Sequence, residues 1–216
     1  MDTFTDAFRA GLHDLMRWRR DVRQFRTDPV DEALLRQCLD TFSLAPSVGL
    51  SEPWRIVRVT SPEARAKAIS NFEDSNAQAL TGYGGDKAKL YASLKLSGMK
   101  EAPQHLAVYC DDTTEKGAGL GVASMPEMRR YSVVGAITLM WLTARSLGLG
   151  VGWVSVLDPT RLNADLDVPD GWSLVAYLCM GWPREHTVTP ELETQGWGAR
   201  APRLHVGSRW WVGWAE

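Results

Sequence analysis

The stretch that decides the fold is YSVVGAITLMWLTARSLGLGVGWVSVLD, residues 131–158. Residues 131–147 are apolar nearly all round when placed on a helix, and Gly148 is a typical helix stop. Such a helix has to be buried on every side, either at the centre of the fold or in a subunit interface. The residues after it, VGWVSVLD (151–158), predict a buried strand. A buried helix followed at once by a buried strand predicts a layered α/β domain.

Helices and strands alternate along the rest of the chain. The predicted helices cover 6–18, 31–44 and 86–97, a stretch with Ser61 as N-cap and Pro62 in its first turn, and a short stretch that starts at Asp158. The other predicted strands cover 54–60, 105–110 and 172–181. No repeat or low-complexity linker divides the sequence, so we expect one domain over 1–216 with helices around a central sheet.

Composition excludes several classes of protein. Of 216 residues 44% are hydrophobic and 23% charged, as in an ordinary globular protein, and the net charge of −2 provides no field for nucleic acid or an anionic membrane. No apolar run reaches a bilayer-spanning length, and MDTFTDAFRAG is not a signal peptide, so we expect a cytoplasmic protein. Three widely spaced cysteines and four scattered histidines predict neither a disulfide framework nor a metal site.

A cluster of charge stands out in RWRRDVRQF, residues 17–25, where four arginines surround Asp21. Taken alone, a run of this kind is usually a solvated face. The second interpretation is a site for a small anion, with the acid beside it as a proton carrier. Local positive charge in a chain of slightly negative net charge favours a small anionic ligand.

Two glycine-containing segments and the tryptophans also leave alternatives open. APSVGLSEPW (45–54) is a turn whose backbone N–H groups and Ser47 hydroxyl could lie against a flat polar ligand, or merely a loop. GLGVGWVS (148–155) runs from helix to strand, the reverse of a dinucleotide-binding fingerprint, and can be a helix cap with a tight loop. The ten tryptophans fit core packing or an aromatic wall around a ligand, and those of the tail GSRWWVGWAE favour packing on a partner subunit.

Taken together and in this order, these segments resemble the nitroreductase-like flavoprotein superfamily, and most closely its oxygen-dependent branch, the 5,6-dimethylbenzimidazole synthases. The resemblance extends from about residue 12 to about residue 204. It is carried by RRDVRQF, APSVG..EPW, SLKLSGMKEAP, SMPEMRRYSVV, GLGVGWVSVLDP and GWGAR.PRL. General nitroreductases share the arginines, the APS turn and a late arginine, but commonly have Ser where this chain has Asp21. The sequence also departs from the family at Glu52, usually Gln, and at Leu50, where many nitroreductases have Asn.

The resemblance implies a fold and a set of site residues. The implied fold is α+β, with a central, mostly antiparallel sheet flanked by helices, in an intertwined homodimer that binds FMN at the subunit interface. Asp21 and Ser155 are implied to be catalytic, and no metal is implied. The residues implied to contact FMN are Arg19, Arg20, Asp21, Val22, Arg23, Pro46, Ser47, Val48, Gly49, Leu94, Trp153, Val154, Ser155 and Arg200.

The resemblance also implies a reaction. It is the oxygen-dependent fragmentation of reduced FMN to 5,6-dimethylbenzimidazole and D-erythrose 4-phosphate for the lower ligand of cobalamin, with a separate flavin reductase as supplier of reduced FMN. The alternatives are an FMN-dependent NAD(P)H nitroreductase or quinone reductase, and a non-catalytic FMN-binding protein. Residues 81–99 are implied to form a lid with hinges at Gly82, Gly84 and Gly85, and 187–216 a C-terminal extension that packs on the partner subunit.

Overall fold

The described part of the chain, residues 3–200, folds in the computed structural model into seven helices and four strands. The helices are α1 Asp6–Trp18, α2 Glu32–Asp40, α3 Pro62–Leu80, α4 Gly85–Ser93, α5 Met128–Ser146, α6 Pro159–Asp165 and α7 Glu191–Thr194. The strands are β1 Trp54–Arg58, β2 Gln104–Asp111, β3 Gly150–Val154 and β4 Trp172–Gly181. The predicted elements are confirmed in order and type. The helix expected over 31–44 ends in a separate 3-10 turn, and the one expected over 86–97 already ends at Ser93. The strand expected over 151–158 ends at Val154.

The strands form one sheet in the order β1-β2-β4-β3, and all three pairings are antiparallel. This confirms the predicted antiparallel sheet flanked by helices. One face of the sheet packs on α5 and α2 through Leu106, Val108 and Leu178. The opposite face packs on α3 and α6 through Ala107, Tyr109 and Tyr177. Because both faces are covered, the two central strands, β2 and β4, are apolar along most of their length.

Helix α5 departs from the expectation that it is buried on every side within the fold. Ala136, Ile137 and Met140 are fully buried against the sheet, whereas Tyr131 and Val134 keep 55% and 39% of their exposure. The sheet and α2 cover only one side of the helix, and this leaves an apolar stripe on the other. The sequence predicted that this helix is buried either at the centre of the fold or in a subunit interface, and the interface stays a prediction.

Helix α1 carries a second uncovered apolar stripe. None of its residues is buried, and the aromatic and aliphatic side chains on one side are exposed: Phe4 next to the helix, then Phe8, Leu12 and Met16. The tail tryptophans, Trp210, Trp211 and Trp214, lie outside the described residues. Within residues 3–200, no helix is long and apolar enough to cross a membrane.

Candidate active site

The arginine segment lies along the edge of the sheet, beside β3. It follows α1 in an extended conformation, Asp21 forms a parallel bridge with Val151, and the Val22 N–H donates to the Val151 carbonyl at 3.0 Å. Glycines in β3 permit this approach: a Cβ at Gly152 would overlap the Val22 carbonyl oxygen, and one at Gly150 would stand 2.8 Å from a Val22 methyl group. The helix-cap interpretation of GLGVGWVS therefore accounts for Gly148 alone, which has a φ of +82°.

Asp21 is held on both of its carboxylate oxygens. Oδ1 accepts a hydrogen bond from the Trp153 N–H at 2.8 Å, and Oδ2 lies 3.0 Å from Arg23 Nε. The side chain keeps 32% of its exposure and that of Arg23 keeps 14%. Partial burial raises the pKa of the Asp21 carboxyl above its ordinary value, and the Trp153 N–H and Arg23 offset only part of this rise. A carboxyl with a raised pKa can take up and return protons closer to neutral pH.

The other arginines of the segment lack carboxylate partners among the described residues. Arg20 Nε donates to the Val188 carbonyl at 2.7 Å, and an Arg200 amino group lies 3.5 Å from the same oxygen. Burial and the charges of Arg200 and Arg19 lower the pKa of Arg20. The Arg19 guanidinium lies over the ring of Trp141, 4.9 Å from its centroid, and makes no hydrogen bond within residues 3–200. The two other Arg20 nitrogens donate to the Arg19 and Arg17 carbonyls. Three guanidinium groups without carboxylate partners thus concentrate positive charge here, and such charge suits a polyvalent anion.

A cavity of about 310 Å³ opens beside this segment. Arg20, Asp21 and Arg23 contribute to one wall, and Trp141, Arg145 and His186 contribute to others. This volume is at the lower end of the roughly 300–1,000 Å³ of small-molecule pockets. The chain alone therefore forms a pocket lined by apolar side chains and by charged groups of both signs, of a size that suits part of a nucleotide-like ligand.

The APSVGL turn does not reach this pocket within one chain. The Val48 N–H donates to Ser132 Oγ at 3.1 Å, near the first turn of α5, whereas Trp141, nine positions further along, contacts the arginine segment. Nine residues of helix span roughly 13 Å. Of the residues expected to contact FMN, Pro46, Ser47, Val48 and Gly49 are therefore not brought to Asp21. Glu52, expected to add a charge to this turn, forms an ion pair with Lys116.

Ser155, the second residue expected to be catalytic, follows β3 directly. It lies two residues after Trp153, whose N–H holds Asp21, and its side chain is exposed. It lies one residue beyond the end of β3, which closes at Val154. Its hydroxyl makes no hydrogen bond within residues 3–200, so it is free to contact a ligand.

The segment expected to act as a lid ends beside Arg23. An Arg23 amino group lies 3.5 Å from the Lys95 carbonyl, next to Leu94, and Lys95 Nζ lies 2.6 Å from Glu101. Helix α4 packs on the C-terminal segment, with Lys87 Nζ 3.7 Å from the centroid of the Trp197 ring. Gly85 has a φ of +55°, in the region that favours glycine. The lid itself stays a prediction.

A comparison with known families matches the model described as "Nitroreductase family" to residues 16–182. The chain belongs to the nitroreductase family. Among curated members, it is similar to the 5,6-dimethylbenzimidazole synthase of Rhodospirillum rubrum, with 55% identity over 92% of this chain and 94% of the relative. The protein of that name from Rhodobacter capsulatus is 44% identical over 92% and 96%. An NADH dehydrogenase of Thermus thermophilus is 31% identical over 77% and 84%.

Solved structures agree on the nitroreductase fold. Oxidized iodotyrosine deiodinase bound to FMN and 3-iodo-L-tyrosine superposes with a TM-score of 0.71 at 22% identity, covering 92% of this chain and 98% of that one. A nitroreductase-like family protein from Bacillus cereus gives a TM-score of 0.63 at 19% identity, covering 94% of each chain. At these identities, the likeness supports the fold alone.

Three residues of this nitroreductase-family site were not singled out from the sequence. Gly150 and Gly152 admit the arginine segment to the edge of β3, and Trp141 contacts Arg19 and Arg20. The glycines had a readable signal, because alternate glycines inside a strand mark the close approach of another backbone. Trp141 had none, because it lies in a uniformly apolar helix.

Proposed function

We propose that this protein is a 5,6-dimethylbenzimidazole synthase, which uses dioxygen to convert reduced FMN to 5,6-dimethylbenzimidazole and D-erythrose 4-phosphate. The observation that carries the proposal is the carboxylate of Asp21, which is partly buried at the edge of the sheet inside a segment of arginines. The Trp153 N–H and Arg23 hold it there. General nitroreductases commonly have a serine at this position. The 55% identical relative with this name supports the same choice.

The arginines suit the phosphate and the polar edge of FMN. Arg19, Arg20 and Arg200 have no carboxylate partners among the described residues, and a phosphate dianion would supply the missing negative charge. Arg23, next to Asp21, is left for the ring edge and the ribityl chain. When bound, reduced FMN supplies both the electrons for dioxygen and the carbon skeleton of the product.

The residues of the chain would supply the proton transfers. Asp21 is proposed to hold and return a proton, because burial raises the pKa of its carboxyl and so favours the protonated form more than in water. Ser155 is proposed as the second proton carrier, because its exposed hydroxyl lies two residues after Trp153, whose N–H holds Asp21. The segment 81–99 is proposed to exclude water while these transfers take place.

We further propose that a second copy of the chain completes the site with its Pro46–Gly49 turn. The turn lies near the opposite end of α5 from the arginine segment, and α5 and α1 both carry uncovered apolar stripes. A mixture of Asp21→Asn and Gly49→Val chains should therefore regain activity, because one site of a mixed dimer carries neither change. Activity that stays at the level of the separate variants would refute the shared site.

A product assay tests the function. Purified protein is mixed in air with chemically reduced FMN, and the products are separated by chromatography. We expect 5,6-dimethylbenzimidazole to form only when reduced FMN and dioxygen are both present, and we expect slow NAD(P)H consumption until a flavin reductase is added. Intact FMN as the sole flavin product, or rapid NAD(P)H oxidation by the protein alone, would favour the reductase alternative.

A further inference from the structure

Trp141 of α5 connects three parts of the candidate site. Its indole Nε1 donates a hydrogen bond to the Arg20 carbonyl at 3.2 Å, and its ring lies under the Arg19 guanidinium, 4.9 Å from Cζ. The same ring lies 6.3 Å from that of Trp153, whose backbone N–H holds Asp21. The side chain is almost fully buried, with 9% of its surface exposed.

We propose that Trp141 is a positioning residue that orients Arg19 and the Arg20 peptide for the phosphate group of the flavin. This inference rests on the proposed function, because it takes FMN as the ligand. No group other than the Trp141 ring, among the described residues, makes an ion pair, a hydrogen bond or a cation–π contact with the Arg19 guanidinium. Without the ring, this long side chain would lose the contact that fixes it before the ligand arrives.

The cation–π contact explains why the arrangement suits a phosphate site. A guanidinium that lies over an aromatic ring is attracted by the electrons of the ring face, and this contact does not occupy its N–H groups with another hydrogen-bond acceptor. Arg19 is therefore held in place while its hydrogen-bond donors stay free for phosphate oxygens. The indole N–H fixes the Arg20 carbonyl at the same time, and because a peptide is planar, this also sets the direction of the Asp21 N–H.

The chain contains a matched arrangement that lacks the free donors. Trp182 Nε1 donates to the Pro29 carbonyl at 3.2 Å, and the Arg26 guanidinium lies 5.8 Å from the centre of the Trp182 ring. Arg26, however, is paired with Asp28 at 3.0 Å. Trp182 therefore serves as a control: the same indole contacts are lost when it is replaced, but no free arginine is released.

The test compares two flavins that differ by the phosphate. Dissociation constants for oxidised FMN and for riboflavin are measured with the full chain, as the wild type and as Trp141→Phe, Trp141→Leu and Trp182→Phe. Trp141→Phe keeps a ring but loses the N–H, so we expect its Kd for FMN to rise about fivefold. Trp141→Leu also loses the cation–π contact, so we expect a rise of about tenfold or more. Riboflavin affinity should stay nearly constant in all variants, and Trp182→Phe should match the wild type.

The outcomes separate this inference from the proposed function. If the wild type binds FMN and the Trp141 variants keep its ratio of FMN to riboflavin affinity, the positioning role is refuted and the function is untouched. A parallel loss of affinity for both flavins, or failure of both Trp141 variants to fold, would show a general structural role and also refute it. If the wild type binds neither flavin, the proposed function itself fails.

Discussion

Replacing Asp21 with asparagine changes the charge at the centre of the site with almost no change in shape. The amide oxygen can still accept the Trp153 N–H, which lies 2.8 Å from the carboxylate in the wild type. The substitution removes the negative charge beside Arg23 and the ability to carry a proton. The backbone contacts that hold the segment on β3, through Val22 and Val151, are not touched.

The expected effect on stability is small, and its sign follows from the pKa. Burial raises the pKa of the Asp21 carboxyl in the folded state, so the carboxyl contributes stability at low pH that is lost as the pH rises through the folded pKa. Burial therefore makes the ionised form of Asp21 the costlier one in the folded protein, even with Arg23 beside it. At pH 7 we expect the free energy of unfolding of Asp21→Asn to equal that of the wild type or to exceed it by up to about 1 kcal/mol.

The expected effect on catalysis is large. A positioned proton carrier contributes about 10²–10⁴-fold, and this corresponds to roughly 3–5 kcal/mol of the barrier. The assay is the rate of 5,6-dimethylbenzimidazole formation from reduced FMN in air, together with the Kd for oxidised FMN. The control is Asp28→Asn, because Asp28 forms the same kind of Arg–Asp pair at 3.0 Å but is more exposed and outside the site. A variant at position 21 that forms product like Asp28→Asn, or that has lost FMN binding, would refute a catalytic role.

Three further predictions concern the scaffold of the site. A Cβ at Gly152 would overlap the carbonyl oxygen of Val22, so Gly152→Ala should lower the free energy of unfolding in urea by about 1–3 kcal/mol, and unchanged stability would contradict the close approach. Burial lowers the pKa of His105 to about 4, so the free energy of unfolding should fall by on the order of 3 kcal/mol as the pH drops from about 6.5 to about 4. His105→Gln should flatten this pH dependence, and an equally steep curve for the variant would contradict the prediction. Glu101→Gln breaks the 2.6 Å ion pair with Lys95 at the end of the expected lid, so less 5,6-dimethylbenzimidazole should form per FMN oxidised; an unchanged yield would count against this contact as a lid anchor.

The sequence was sufficient for the elements that local chemistry determines. Ser61 accepts from the Ala64 N–H and opens α3 as predicted, and Gly148 ends the region of α5 with a positive φ. The burial of α5 was harder to predict, because an apolar helix looks the same whether its second side meets its own sheet or another chain. Within the described chain, Tyr131 and Val134 are exposed, and the sequence did not show this. The sequence also could not show which arginine has a partner, because Val188 and Trp141 are remote in sequence from the segment they contact.

The RRDVR segment and the strand GVGWV form one structural unit of the candidate site rather than two separate motifs. In an extended segment, alternate side chains point in opposite directions, and Asp21 indeed pairs with Arg23 two residues later. Val22, between them, packs against Gly150, and Arg20 reaches the Val188 carbonyl. Asp21 thus has Arg23 as its ion-pair partner, and Arg19 and Arg20 have no carboxylate partner among the described residues. A serine at position 21 would leave Arg23 unpaired as well. An acid at position 21 therefore offsets the charge of one arginine, and we propose that it also carries protons, while the cations proposed to hold the phosphate keep their charge.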